Sequence, residues 1–150
     1  MIYIKVSTNL VLKQCIEQSS QDFQAVRTRS ESANSIYEDW VMNENHGVDI
    51  FSQMQYIAAE LYRKIAQYVD SFSPSKDVIS YDILPENCNA NSTSLNIVTQ
   101  QYFCNKLLAW WYQYRDADLA SLYETRGNIC ADNIFSECLP RTGRLTPRYF

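Results

Sequence analysis

Phe51 to Phe72, FSQMQYIAAELYRKIAQYVDSF, is the stretch whose reading decides the fold. Phe51, Met54, Ala58, Leu61, Ile65, Tyr68 and Phe72 recur at intervals of three and four, which places them on one stripe of an α-helix. Ile57 and Val69 widen the stripe, while Gln53, Glu60, Lys64 and Gln67 fall outside it. Ser73-Pro74 ends the run, because proline has no N–H to donate and disfavours helical geometry in the residue before it. The spacing therefore predicts a central amphipathic helix of about six turns, capped by Asn45 or Asp49. Such a helix is a core element that needs packing partners, not a site.

Downstream, Asp77 to Leu84 alternates Ile79, Tyr81 and Ile83 with Ser80 and Asp82, the pattern of a half-buried strand. A lone strand is not viable; its partner is Ile2–Val6, its own flanks, or a neighbouring subunit. A loop of turn formers, Asn87 to Thr93, leads to Ser92 or Thr93 as the cap of a second long helix, Ser94 to Tyr114. That helix is apolar around most of its circumference, so it is either central to a bundle or partly covered by another protein. Arg115 to Asp118 is a short link to a last helix that reaches Leu139 and is capped by Asp116 or Asp118; so short a link makes the two helices antiparallel neighbours. Pro140 ends it.

Upstream, Ile2–Val6 is β-branched and alternating, a short strand. Ser7, Thr8 and Asn9 offer caps for a helix over Leu10 to Phe23. Arg27 to Ser35 reads as a polar loop or frayed helix end, and Ser35 to Asn43 as a short helix carrying Ile36, Tyr37, Trp40 and Val41. The expected fold is thus mainly α: a helical bundle with a long central helix, an antiparallel helical hairpin, one or two short β-strands and an extended C-terminal tail. Residues 1–139 form one helical domain, and 140–150 form the basic tail.

Composition narrows the function classes. A chain of 150 residues, 46% hydrophobic, supports one ordinary core. Its 3 glycines leave no phosphate-cradling loop. A net charge of −4 argues against general nucleic-acid binding, which needs a basic face. Base stacking by the run AWWYQY has only Lys106 and Arg115 as nearby cations. The 5 cysteines, Cys15, Cys88, Cys104, Cys130 and Cys138, are odd in number and form no CxxC pair, so they read as reduced thiols. The single histidine, His46, has no spaced ligand partners, so no metal or cofactor is expected. Glu38 and Asp39 point apart on a helix and do not make a paired-carboxylate site. No signal peptide and no membrane span are visible. The 11 tyrosines and 3 tryptophans exceed what one small core consumes, and such residues favour protein interfaces. Residues 141–150 hold Arg141, Arg144 and Arg148 and no acid, and end on Tyr149 and Phe150, a composition suited to docking on an acidic surface.

The order of features from about Val48 to Arg148 is familiar as a whole. It runs from the Phe51 helix through the strand ISYDIL and an Asn-rich loop to the helical hairpin with its LAWWY run and acidic helix start, then to the tail RTGR. It resembles the small helical neck or head–tail connector proteins of tailed bacteriophages, especially those infecting gut Bacteroidales. The resemblance implies a ring of copies between portal and tail, built by lateral subunit contacts, with DNA passing through the channel. It also implies β-augmentation of the short strands by neighbours and docking of the tail through Arg141, Arg144, Arg148, Tyr149 and Phe150. Trp40, Tyr81, Trp110 and Tyr114 are the expected subunit contacts. The expected function is that of a structural, non-enzymatic virion protein in the neck, made in the host cytoplasm, with portal, tail or other neck proteins as partners. The alternative is a small intracellular helical adaptor or regulator that binds one partner protein.

Overall fold

The computed structural model describes residues 2–29, 41–43, 47–84 and 91–138. Along them run β1 (Ile2–Ser7), α1 (Thr8–Arg29), α2 (Gly47–Ile65), β2 (Val69–Pro74), β3 (Val78–Ile83), α3 (Ser92–Tyr112) and α4 (Ala117–Cys138). The fold is mainly α, with a three-stranded antiparallel sheet in the order β1-β3-β2.

The first correction concerns the stretch that decided the reading. The Phe51 helix ends at Ile65, not Phe72, and the chain turns at once into β2. Tyr68 N–H donates to the Ile65 carbonyl at 2.9 Å to make the turn. Phe72 then lies between two rings, stacked on Tyr62 of α2 (4.7 Å between centroids) and on Tyr81 of β3 (5.0 Å). Helical spacing fits Tyr68 and Phe72, whereas Asp70 breaks strand alternation between them. The strand wins because it fills the free edge of β3 and gives Phe72 two aromatic faces.

The pairing left open by the sequence is completed within the chain. β3 is the middle strand, with Ile4↔Tyr81 and Val6↔Ile79 on one side and Phe72↔Tyr81 on the other. Of the partners the sequence left open, those within the chain are the ones observed: β1, β3 and β2 pair with one another. The outer edge of β1 is also closed: the Asn96 side chain of α3 accepts from Lys5 N–H at 2.7 Å and donates to the Tyr3 carbonyl at 3.0 Å. One side-chain amide thus takes the place of a peptide from a fourth strand. On the other edge, β2 carries a register irregularity between Val69 and Ser71 and ends on Pro74, features that discourage further pairing.

The molecule is organised around α3 rather than α2. α3 packs against β1, α1, α2 and α4. Its buried set, including Tyr102, Phe103, Leu107, Leu108, Trp111 and Tyr112, covers most of the circumference. Of the two explanations the sequence left for so apolar a helix, burial at the centre of the bundle is the one observed. The hairpin of α3 and α4 is as expected. Asp116 caps α4, its Oδ1 accepting from Asp118 N–H (3.0 Å) and Leu119 N–H (3.2 Å). The cap of α3 is Asn91 rather than Ser92 or Thr93; its side chain accepts from Ser94 N–H at 2.7 Å.

α1 runs six residues past the predicted Phe23, to Arg29. It buries Val11, Leu12, Cys15 and Ser19. Ser19 Oγ accepts from Met42 N–H at 2.9 Å, which seats Met42 in the core. Residues 41–43 are not helical, which shortens the helix predicted over Ser35–Asn43; its earlier part lies outside the described residues, as does the Asn45 cap. No helix among the described residues is long and apolar enough to cross a membrane.

Candidate functional site

Among the described residues, concave regions lie on both sides of the α3/α4 hairpin, one against α2 and another against α1. The larger, about 540 Å³, is a groove where α2, α3 and α4 meet. Helical periodicity builds it: Gln53, Tyr56, Ile57 and Glu60 come from one face of α2, Lys106, Ala109, Trp110 and Gln113 from α3, and Ala117, Ala120, Ser121 and Glu124 from α4. The alanines of α3 and α4 keep the floor low. Tyr56 is 54% exposed and Trp110 is half-buried, so the walls present aromatic surface to solvent.

Lys106 crosses this groove with its side chain only 10% exposed. Its ammonium pairs with Glu124 and donates to Asn128 Oδ1 at 2.8 Å. The stem lies over Gly127, where an added Cβ would come within 3.1 Å of Lys106 Cγ, Cδ and Cε. A glycine in mid-helix is thus explained by the close passage of a lysine. Glu60 is half-buried on the opposite wall and has no ion pair among the described residues. Beneath the groove lies the Tyr102 hydroxyl, buried and without a hydrogen-bond partner among the described residues. Burial first, then the charges of Glu60 and Glu124, push its phenol above the ordinary tyrosine range.

The second region is a cleft of about 310 Å³ between α1, α3 and α4, rich in side-chain amides. At its edge Asp22 of α1 gathers two tyrosines: Tyr112 Oη donates to Asp22 Oδ2 at 2.9 Å and Tyr123 Oη at 2.7 Å, while Gln18 Nε2 donates to Oδ1 at 3.1 Å. The two rings stack, 5.8 Å apart and 15° from parallel. Both phenols are pushed up, by burial first and then by the Asp22 carboxylate, so both stay protonated donors across the physiological range. The arrangement is a three-helix clasp, fully occupied with itself.

Three cysteines approach the same cleft. Cys15 is buried, with its Sγ 3.7 Å from the Cys104 carbonyl oxygen. Contact with the Cys104 thiol, then burial, raises its pKa. Cys130 accepts from Asn105 Nδ2 at 3.8 Å, and burial raises it too. A thiol held protonated is a weak nucleophile, which describes packing cysteines. Cys15, Cys104, Cys130 and Cys138 are free thiols, and Cys88 lies outside the described residues. Among the described residues no group of three or more His, Cys, Asp or Glu could hold a metal ion.

The residues singled out from the sequence separate cleanly. Trp110 lines the larger groove, and Tyr114, 90% exposed, stands in the hairpin turn at its end. Tyr81 is not available to a neighbouring subunit. It is fully buried and donates to the Ala58 carbonyl at 2.8 Å, because its alternation faces the helices rather than solvent. Trp40 and the tail residues Arg141, Arg144, Arg148, Tyr149 and Phe150 lie outside the described residues. Asn96, Asp22 and the Lys106–Gly127 crossing were not singled out. The available hint for Asp22 was its place one helical turn after Ser19, on the side of α1 that turns inward. No family model matches this chain, and no curated protein or solved structure matches it.

Proposed function

We propose that this chain is a structural virion protein of a tailed phage, one that builds a ring in the neck between portal and tail. The observation that carries the reading is the aromatic surface around the closed end of the α3/α4 hairpin. Tyr56 and Trp110 wall a groove, and Tyr114 stands almost fully exposed beside it. Large amphipathic rings on a rigid helical end are suited to lateral contact with another protein. A head-to-tail contact of this kind closes into a ring when its rotation fits. The function asks for shape and adhesion, not for a reaction, and DNA would pass through the channel without specific binding.

The alternative, a small adaptor that binds one partner protein, draws support from a different observation. The β1 edge of the sheet is closed by Asn96 within the chain, and β2 carries a register irregularity and a proline, so side chains rather than strand edges are favoured for contacts. Light scattering on the purified full-length protein, paired with negative-stain images, separates the two readings. Closed rings or concentration-dependent oligomers are expected for the neck protein. A monomer at every concentration that is captured by a single partner, and that forms no higher assembly with it, would overturn the ring reading.

A further inference from the structure

We infer that Cys104 and Cys15 form an oxidation site: a hydroperoxide converts Cys104 to a sulfenic acid, and Cys15 resolves it as a disulfide that ties α3 to α1. The inference does not depend on the ring reading. It starts from placement. Cys15, on α1, is fully buried, whereas Cys104, on α3, is half-buried and lines the cleft of about 310 Å³. Cys15 Sγ lies 3.7 Å from the Cys104 carbonyl oxygen, and the Cys104 side chain is a hydrogen-bonding partner of the Cys15 thiol. From the other direction, Cys104 Sγ donates at 3.1 Å to Oε1 of Gln14, the residue before Cys15. These contacts hold the two thiols against one another where α1 packs on α3. The other described cysteines are placed differently. Cys130 of α4 accepts from Asn105 at 3.8 Å, and Cys138 is buried at the end of α4.

The two thiols differ in access, and access assigns their roles. A thiol reacts with a peroxide through its thiolate, and only where the oxidant reaches it. Burial denies Cys15 both. Cys104 faces a cleft that also carries the Arg126 guanidinium and the side-chain amides of Gln14, Gln18 and Gln101. The Gln14 amide accepts from the thiol, and turned over it offers Nε2 to a thiolate, so it serves either form.

The chemistry closes in two steps. The Cys104 thiolate attacks one oxygen of the hydroperoxide; the O–O bond breaks, the alcohol leaves with a proton, and the peroxide is reduced by two electrons as Cys104 becomes a sulfenic acid. The Cys15 sulfur then attacks the Cys104 sulfur; the S–S bond forms, the S–O bond breaks, and hydroxide leaves with the Cys15 proton as water. A buried thiol is a weak nucleophile in general, but here its electrophile is generated in contact with it, so the second step is intramolecular. The bond joins positions 89 residues apart, a long loop whose closure restricts the unfolded chain.

Peptide mapping of the full-length protein tests this. The protein, fully reduced and freed of reductant, is treated with hydrogen peroxide while folded; the remaining thiols are then capped with N-ethylmaleimide in denaturant, and the peptides are read by mass spectrometry. The expected product is a peptide pair joined through Cys15 and Cys104, lighter by two hydrogens and separated by reductant. Cys15→Ser should lose the cross-link and leave Cys104 as a sulfenic acid or its further oxidation products, whereas Cys130→Ser should keep the cross-link. The map of the wild-type chain decides by itself, so the test stands even where a variant misfolds. Oxidised Cys104 beside a capped Cys15 would overturn the inference. So would a bond from Cys104 to Cys88, to Cys130 or to a second molecule, or a Cys104 that peroxide leaves unoxidised.

Discussion

Asp22→Ala should be among the most damaging single changes at a partly solvated position in this protein. The carboxylate accepts from Tyr112 at 2.9 Å and from Tyr123 at 2.7 Å, and the two rings are 0% and 3% exposed. Hydrogen bonds to a charged acceptor contribute about 1.5–3 kcal/mol each. Removing the shared acceptor leaves two hydroxyls seeking partners. Because Asp22 is itself only half-buried, water can enter its place and recover part of the loss. The net cost should be about 3 kcal/mol, a fall in Tm of roughly 6–12 °C for a chain of this size. Asp22→Asn keeps a neutral acceptor and should cost about 1 kcal/mol. Urea denaturation followed by circular dichroism measures both. The decisive comparison is Asp22→Ala in a Tyr112→Phe, Tyr123→Phe background, where it should cost less than about 1 kcal/mol because no hydroxyl is left to orphan. Equal costs in the two backgrounds would refute the clasp and reduce Asp22 to a surface carboxylate. The clasp joins the closed end of the α3/α4 hairpin to α1.

The remaining predictions concern the same end of the bundle and the aromatic core. Gly127→Ala gains about 1 kcal/mol of helix propensity but crowds the Lys106 stem at 3.1 Å, so alone it should change stability by less than about 0.5 kcal/mol; in a Lys106→Ala background it should stabilise by about 1 kcal/mol in urea titrations. Tyr102→Phe should be neutral or stabilising by up to about 1 kcal/mol because its hydroxyl has no partner, whereas Tyr81→Phe should cost about 1 kcal/mol for the lost bond to Ala58; thermal melts of the pair separate the two cases. Tyr81, Tyr102, Tyr112 and Tyr123 all have raised folded-state pKa values, so their contribution is fully present below about pH 10, the unfolded value, and is lost as pH rises beyond it. Each of the four costs about 1.4 kcal/mol per pH unit above that point, so ultraviolet titration of the phenols should show a late group ionising together with loss of helix, and a single wave near pH 10 with the helices intact would contradict it.

Local pattern made much of the fold legible. The periodicity of α4, the Asp116 cap and the alternation of β1 and β3 are all short-range signals, and each lies where the sequence placed it. Residues 66–72 were not legible because Tyr68 and Phe72 satisfy helical spacing, while Asp70 and the register shift between Val69 and Ser71 break the alternation that would mark a strand. What decides between them is the free edge of β3 and the ring of Tyr81, both supplied from further along the chain. Tyr81 itself shows the limit of alternation as a guide to function: it separates the two faces of a strand but does not say which one meets the helices. Asn96 and Asp22 lie about ninety or more positions from the groups they bind, and no local pattern announces such a partner.

The sheet edges and the open end of the bundle differ in what they offer a second molecule. Strand addition at β1 would have to displace both Asn96 bonds, and addition at β2 meets a register irregularity and a proline. The outward face of the sheet carries Lys5, Ser71, Ser73, Ser80 and Asp82, with Ser71 Oγ donating to Asp82 at 2.8 Å, together with the exposed Tyr3 and Val78. Tyr3 and Val78 sit at opposite ends of the β1–β3 pairing, so this face has no continuous apolar centre for a stable contact. The groove end differs in kind. It places Trp110 and Tyr56 on helices, beside the Lys106 crossing, with Tyr114 exposed in the adjoining hairpin turn. A rigid aromatic site loses little conformational freedom on binding, so contact with another protein would cost less there than on a mobile surface.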